Sequence, residues 1–245
     1  MPRTASVLRA SMAVPAPPAG DDEGMRMPSD RLQAPIAPSL RLPRLEDVDA
    51  RAVHDAAVLD RARIVDVDST GADLDELALS ECAIERWQAT GARMRHAHVV
   101  ESRIERLDAA TLDASRTVWR DVEVVASRIG SIDLSDASIR SVALVGCKLG
   151  HVNLRAARVR DLTLRDCTID VLDLGDAELD RVAFPGSSVA TLELPRARMR
   201  HVDLRGLEPR AVSPVESLAG ATIDGDQLAL LAPALAAHVG LRVVG

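Results

Sequence analysis

The sequence predicts an all-β solenoid, and three observations carry that prediction. From Leu59 to Leu204 every fifth residue is apolar: of 30 such positions 29 are apolar, Ser69 being the exception, where a 47% hydrophobic chain would give about half. A second apolar series, Ile132, Ala137, Val142, Cys147, Val152, Ala157, Leu162, Cys167 and onward, sits two residues before the first and alternates large with small. Finally, 245 residues hold two Trp, one Phe and no Tyr. The core is therefore aliphatic, which disfavours ring-built cores and pockets or interfaces with aromatic anchors.

A period of five is not helical, because at ~100° per residue each step carries the stripe about 140° around the cylinder. Nor is it a plain strand, since an odd period sends successive members to opposite faces. Spacings that alternate two and three resolve the conflict. The two-step is a short extended segment with both side chains inward, and the three-step is a corner that turns the chain and restores the inward direction. Repetition gives a coil whose neighbours stack at ~4.8 Å through β-type hydrogen bonds.

Stretches such as Ala72-Asp73-Leu74-Asp75-Glu76, Val152-Asn153-Leu154-Arg155-Ala156, Leu172-Asp173-Leu174-Gly175-Asp176 and Val202-Asp203-Leu204-Arg205-Gly206 resemble the A(D/N)LXX unit of the pentapeptide-repeat family. The resemblance implies a right-handed four-sided parallel β-helix with about twenty residues per coil, and 30 pentads then give about 7 to 8 coils. With that coil length, Ala137, Ala157, Ala177 and Ala197 stack on one wall and Cys147, Cys167 and Ser187 on the opposite one. Large residues line the other two, as Ile132, Val152, Leu172, Leu192 and Val142, Leu162, Val182, Val202. A narrow square core cannot take large side chains on all four walls without overpacking.

In chain order, residues 1–45 read as a disordered tail, because eight of thirteen Pro fall in the first 43 residues with no sustained apolar period. Met12, Met25 and Met27 are alternative starts within it. The solenoid occupies 46–207. Between Trp87 and Trp119 large residues at one inward site meet Ala at the other (Trp87 with Ala89, Leu107 with Ala109, Leu112 with Ala114). This conserves volume and allows a bend or small outward loop near Asp108 to Arg116. Residues 208–245 form a Pro-containing turn and then a capping or dimerisation helix, with Asp224 or Asp226 as N-cap, Gly240 as stop, and Leu228, Leu231, Leu235 and Val239 on one face. Pro233 should kink or split that helix. A terminal element is expected because an open solenoid end exposes unpaired strand edges.

The net charge of −7 argues against direct nucleic-acid or anionic-membrane binding, and no apolar run reaches the ~20 residues of a membrane span. Three Cys, all at inward sites, form no disulfide framework and read as small buried thiols in a reducing, cytoplasmic compartment. His96 and His98 are the only neighbouring His, with a corner between them and no third ligand, so no metal or other cofactor is expected. No G-x-S-x-G, Walker loop or H-E-x-x-H occurs, and a filled core offers no concavity, so the chain reads as non-enzymatic.

Two outward columns remain as partner-binding candidates. Arg120, Arg140, Arg160 and Arg200, interrupted by Asp180, stack on one side and form the first-choice docking surface for an unidentified protein partner. Asp113, Asp133, Asn153, Asp173 and Glu193 stack on another. Resemblance to the gyrase-binding, quinolone-protecting members of the family implies for this acidic column an alternative role as a duplex mimic directed at DNA gyrase, and for the C-terminal end a homodimer in place of a monomer. Against mimicry, residues 60–205 carry 25 acidic and 21 basic side chains, a mixed surface and not a dense single-sign field.

Overall fold

The computed structural model describes residues 31–42 and 44–242. Most of the expected tail, residues 1–30 and Pro43, therefore lies outside the described residues. The five-residue rhythm appears directly in the backbone. Left-handed residues recur at Asp66, Gly71, Glu76, Glu81, Arg86, Gly91, His96 and Glu101 and continue at this interval through most of the coil stack. Each lies in the middle of a three-step: Asp136 follows Leu134, and the Ala137 N–H closes the corner on the Leu134 carbonyl at 3.2 Å. Most of these residues have side chains, which costs roughly 1–2 kcal/mol each. The stack offsets the strain, because corner amides bond the next coil, as Asp136 to the Arg155 carbonyl at 2.9 Å and Leu134 to the Asn153 carbonyl at 2.8 Å.

All strand pairings between neighbouring turns are parallel, and from Val58 to Ser213 each residue faces the one twenty positions on, as Ile132 faces Val152 and Val142 faces Leu162. The fold is a parallel β-solenoid with twenty residues per turn. It is longer than 7 to 8 coils. Glu46 and Asp47 pair beside Ala62 and Arg63, and Ala221 and Thr222 beside Val202 and Asp203, so the stack runs for about nine turns. The extra turns at the ends keep the hydrogen-bond ladder after the apolar rhythm has faded.

Most of the inward series is buried as expected, with Leu74, Leu77, Ile64, Ile104 and Leu194 at 0% exposure, while Leu59, Ala72, Leu134, Leu144, Ala197 and Met199 are half-buried. Ser69, the polar exception, is buried because it accepts the Trp87 indole N–H at 3.1 Å. Trp119 has the same provision: its indole N–H donates to Thr117 Oγ1 at 2.8 Å. No loop forms near Asp108 to Arg116. Instead one strand runs unbroken over Arg103–Asp113, and the corner at Thr111 loses the left-handed residue that Gly91 and Gly71 supply one and two turns earlier. The sequence irregularity there marks a change of corner geometry, which a strand absorbs without extruding chain.

The axis is not completely plugged. An apolar void of about 50 Å³ lies among Leu107, Trp119, Val124, Ile129, Ile132 and their neighbours up to Leu164. It has no polar lining and is too small for ligand chemistry.

After the last coils a helix, α1, spans Gly225–His238. Asp224 is its N-cap in a reciprocal capping box with Gln227, and Gly240 follows in the left-handed region. Gln227 is 7% exposed, and its side-chain amide donates to the Leu204 and Leu207 carbonyls. That polar closure of the final turn rotates the helix about its axis. Leu231 and Leu235 become half-buried, whereas Leu228 and Val239, predicted to share their face, are 52% and 67% exposed. Pro233 lies within the single helical span without splitting it. Among the described residues no helix is long and apolar enough to cross a membrane.

Candidate functional site

Both outward columns exist as rows. Arg120, Arg140, Arg160, Asp180 and Arg200 are consecutive register partners, as are Asp113, Asp133, Asn153, Asp173 and Glu193. What differs is the chemistry that each row leaves available.

The acidic column is engaged with the chain's own backbone. Asp113, Asp133, Asn153 and Asp173 each accept the N–H of the residue two ahead through Oδ1, at 3.1, 2.9, 3.0 and 2.9 Å. These are Asx turns that brace the corner, which accounts physically for the D/N position of the repeat. Glu193 ends the series where the residue two ahead is Pro195, which has no N–H to give. Neighbours quench the remaining charge. Asp133 accepts from the Asn153 amide at 2.9 Å, and Asp173, 10% exposed at its side chain, lies under the Arg155 guanidinium at 3.1 Å. Asp113 faces Arg95 at 3.9 Å.

The arginine column keeps more of its charge exposed, though not evenly. Arg200 is tied to Asp180 at 2.9 Å, and Arg160 lies 3.7 Å from the same carboxylate. Three arginines together with burial thus bear on Asp180, whose carboxyl is held below the usual range first by the Arg200 hydrogen bond. Arg120 makes long contacts, 4.0 Å to Glu101 and 3.9 Å to Asp121. Arg140 is exposed and pairs with no described acidic group. Two residues away on the same wall, Arg158 is likewise exposed and without an ion pair to a described residue, while the following rungs are closed by Arg198 to Glu178 at 2.6 Å. Arg140, Arg158, Arg160, Arg198 and Arg200 border a shallow open groove. Sequence reasoning missed Arg158 because it followed one column at a time. The signal was present in Arg158-Val159-Arg160, two outward arginines flanking an inward valine.

The cysteines are structural. Cys82, Cys147 and Cys167 are buried and unbridged, and each thiol points to carbonyls of its own coil and the one before, as Cys167 to Arg165 at 3.3 Å and Leu144 at 3.5 Å. Burial pushes the Cys82 thiol up, and the neighbouring Cys147 together with burial does the same to Cys167. Serines at equivalent positions do the same work: Ser187 Oγ takes the Cys167 N–H at 2.8 Å and donates to the Leu164 carbonyl at 2.8 Å. Among the described residues no group of three His, Cys, Asp or Glu side chains is placed to hold a metal, and His96 is itself a corner residue.

The sequence matches no family model and no curated protein. Among solved structures it is similar to full-length QnrB1, a plasmid-mediated fluoroquinolone resistance protein, at 14% identity over 71% of this chain and 99% of that chain, with a TM-score of 0.44. It is also similar to HetL, a pentapeptide repeat protein involved in heterocyst differentiation regulation from the cyanobacterium Nostoc sp. strain PCC 7120, at 18% identity over 68% and 85%, with a TM-score of 0.25. At such scores neither likeness carries weight, and the fold rests on the chain's own twenty-residue register.

Proposed function

We propose that this pentapeptide-repeat solenoid is a non-enzymatic interaction protein that docks an acidic protein partner on the wall bearing Arg120, Arg140, Arg158, Arg160 and Arg200. One observation carries the reading: Arg140 and Arg158 project from adjacent rungs with no described carboxylate to pair with. A flat strand wall presents them on a grid of ~4.8 Å between rungs and about 6.6 Å along a strand. Charge of this kind steers association and fixes register more than it adds affinity.

Affinity capture with the full chain tests it. Charge reversal by Arg140→Glu with Arg158→Glu removes the captured partner, and raising salt weakens capture by the unaltered protein. Unchanged recovery would make this wall an ordinary solvated face.

The rival reading, a duplex mimic acting on gyrase through Asp113, Asp133, Asp173 and Glu193, is separated by a supercoiling assay. The expected outcome is no change at micromolar protein. Inhibition or drug protection that disappears on neutralising those four residues would transfer the function to the acidic column.

A further inference from the structure

Residues 31–42 lie against one corner of the solenoid, outside the coils. The Ile36 N–H donates to Asp161 Oδ1 at 2.9 Å, and the Ser39 N–H donates to Asp121 Oδ1 at 3.2 Å. Asp161 and Asp121 occupy the same corner two coils apart, about 9.6 Å at the strand spacing. Three residues of polyproline II rise ~9.3 Å. One turn of that helix therefore steps over two coils.

Direction agrees with length. In a two-fold strand, amides three residues apart point to opposite sides, whereas in a three-fold ribbon they point the same way. Over residues 32–39 burial shows the same period, with Leu32, Pro35 and Pro38 half-buried and the residues between them exposed, before it gives way to a two-residue spacing at Leu40 and Leu42. Pro35 and Pro38 fix φ for this conformation and remove donors, and Ile36 and Ser39 keep theirs.

The corner is also unusual among the ion pairs. Asp161 and Arg181, bonded at 2.5 and 2.7 Å, have side chains only 2% and 8% exposed, and the Ile36 amide supplies a further donor to that carboxylate. An extended chain laid across it completes a site built to accept N–H groups. The present occupant is held lightly, by two described backbone bonds, and Ile36 itself is 61% exposed.

We propose that this corner is a binding site for an extended, proline-containing peptide of a partner protein with amide hydrogens three residues apart, and that residues 31–42 are the resident occupant which such a segment displaces. The site recognises backbone and spacing, and it adjoins the arginine wall: Arg120 lies 3.9 Å from Asp121 and Arg160 lies 3.8 Å from Asp161.

The probe is a fluorescent synthetic peptide with the sequence of residues 31–42, titrated against the full chain and against the full chain carrying Ile36→Pro with Ser39→Pro. Those substitutions keep the polyproline backbone and delete both donors. The released chain is expected to bind the probe about tenfold or more tightly than the unaltered chain, because occupancy of a site lowers its apparent affinity by the free fraction. Adding Asp121→Ala weakens that binding about fivefold, the worth of one hydrogen bond. A probe bearing both prolines does not bind. Should the double variant misfold by circular dichroism, Ser39→Pro alone supports the same comparison. Equal affinity of the two chains, or undiminished binding of the proline-substituted probe, overturns the proposal. So does a concentration-dependent dimer of the released chain in light scattering, which would assign the corner to strap exchange between copies.

Discussion

The turns before Thr111 and those after it use the same pentad to solve two packing problems differently. In the earlier turns one corner is made by Gly71 and Gly91 in the left-handed region, and rings or large aliphatics at one inward site face alanine at the other, as Trp87 and Ala89 do. In the later turns that corner passes through Thr111, Ser131, His151, Val171 and Thr191 without a left-handed residue, and from Ile129 onward leucine, isoleucine or valine holds the central site except at Phe184 and Met199, with alanine, cysteine or serine at the second inward site of every other pentad. The void among Leu107, Trp119, Val124 and Ile129 lies where one scheme gives way to the other. Backbone register survives the change intact, and side-chain interdigitation is what fails locally. Register is set by hydrogen bonds common to every pentad, whereas volume must be matched residue by residue.

The largest expected effect tests the early scheme. Trp87 is 1% exposed and satisfies its N–H on Ser69. Trp87→Ala leaves a cavity between its register partners Val67 and Leu107, over Ala89, which is too small to fill it, and strands the Ser69 hydroxyl. A loss of about 3–5 kcal/mol in denaturant unfolding is expected. If Trp87→Ala costs no more than ~1 kcal/mol, the early turns are not packed around that ring.

A second contrast concerns equal ion pairs in unequal surroundings. Arg86 to Asp66 and Arg181 to Asp161 both join residues twenty apart, with bonds of 2.5 and 2.8 Å in one and 2.5 and 2.7 Å in the other. The first is exposed and the second buried. Burial alone would raise the Asp161 carboxyl, but hydrogen bonds from Arg181 and the Ile36 amide, with the charges of Arg181 and Arg160, outweigh it and hold the carboxyl below its ordinary range. The stability this contributes is present above the unfolded aspartate's range and is lost as pH falls through the lowered folded value. Arg181→Ala, which leaves Asp161 buried and unpaired, is expected to cost about 3 kcal/mol at neutral pH, and the deficit should shrink in acid. Arg86→Ala should give a much smaller change that salt abolishes. Equal losses at the two sites would show that burial does not distinguish them.

How much of this was legible in the sequence follows from the same division. The five-residue rhythm exposed the coil, because side-chain direction in a repeat is a matter of counting; the twenty-residue register, and the stacking of Arg120 to Arg200 that follows from it, came from the resemblance of the repeat unit. The Asp113 to Asp173 column could be placed but not interpreted, since an aspartate that caps its own corner reads the same as one that faces a ligand. Arg158 and the Asp121/Asp161 corner escaped for another reason. Their significance depends on what lies beside them, Glu178 committed to Arg198 and a proline-bearing segment drawn back from before the first coil, and neither is periodic. Gln227 was hidden likewise: a polar residue among leucines looked peripheral to the helix stripe, yet it closes the last turn.

The smallest effect is the sharpest test of where the two schemes meet. Val142 borders the void, and Leu162 occupies the same column one turn on. Val142→Leu therefore places one more methylene in space already empty, in a rotamer environment that accepts leucine one turn away. A gain of about 0.5–0.8 kcal/mol is expected, the transfer value of one buried methylene less some side-chain entropy, visible as a rise in Tm of roughly 2 °C. Val182 continues the column beside Phe184, where the axis is occupied. Val182→Leu should instead overpack and destabilise by about 1 kcal/mol or more. Opposite signs at two positions with the same residue, wall and backbone would locate the mismatch at the junction. A loss at Val142 as well would mean that the side chains there already close the gap, and that the change of scheme after Thr111 is a matter of corner geometry alone.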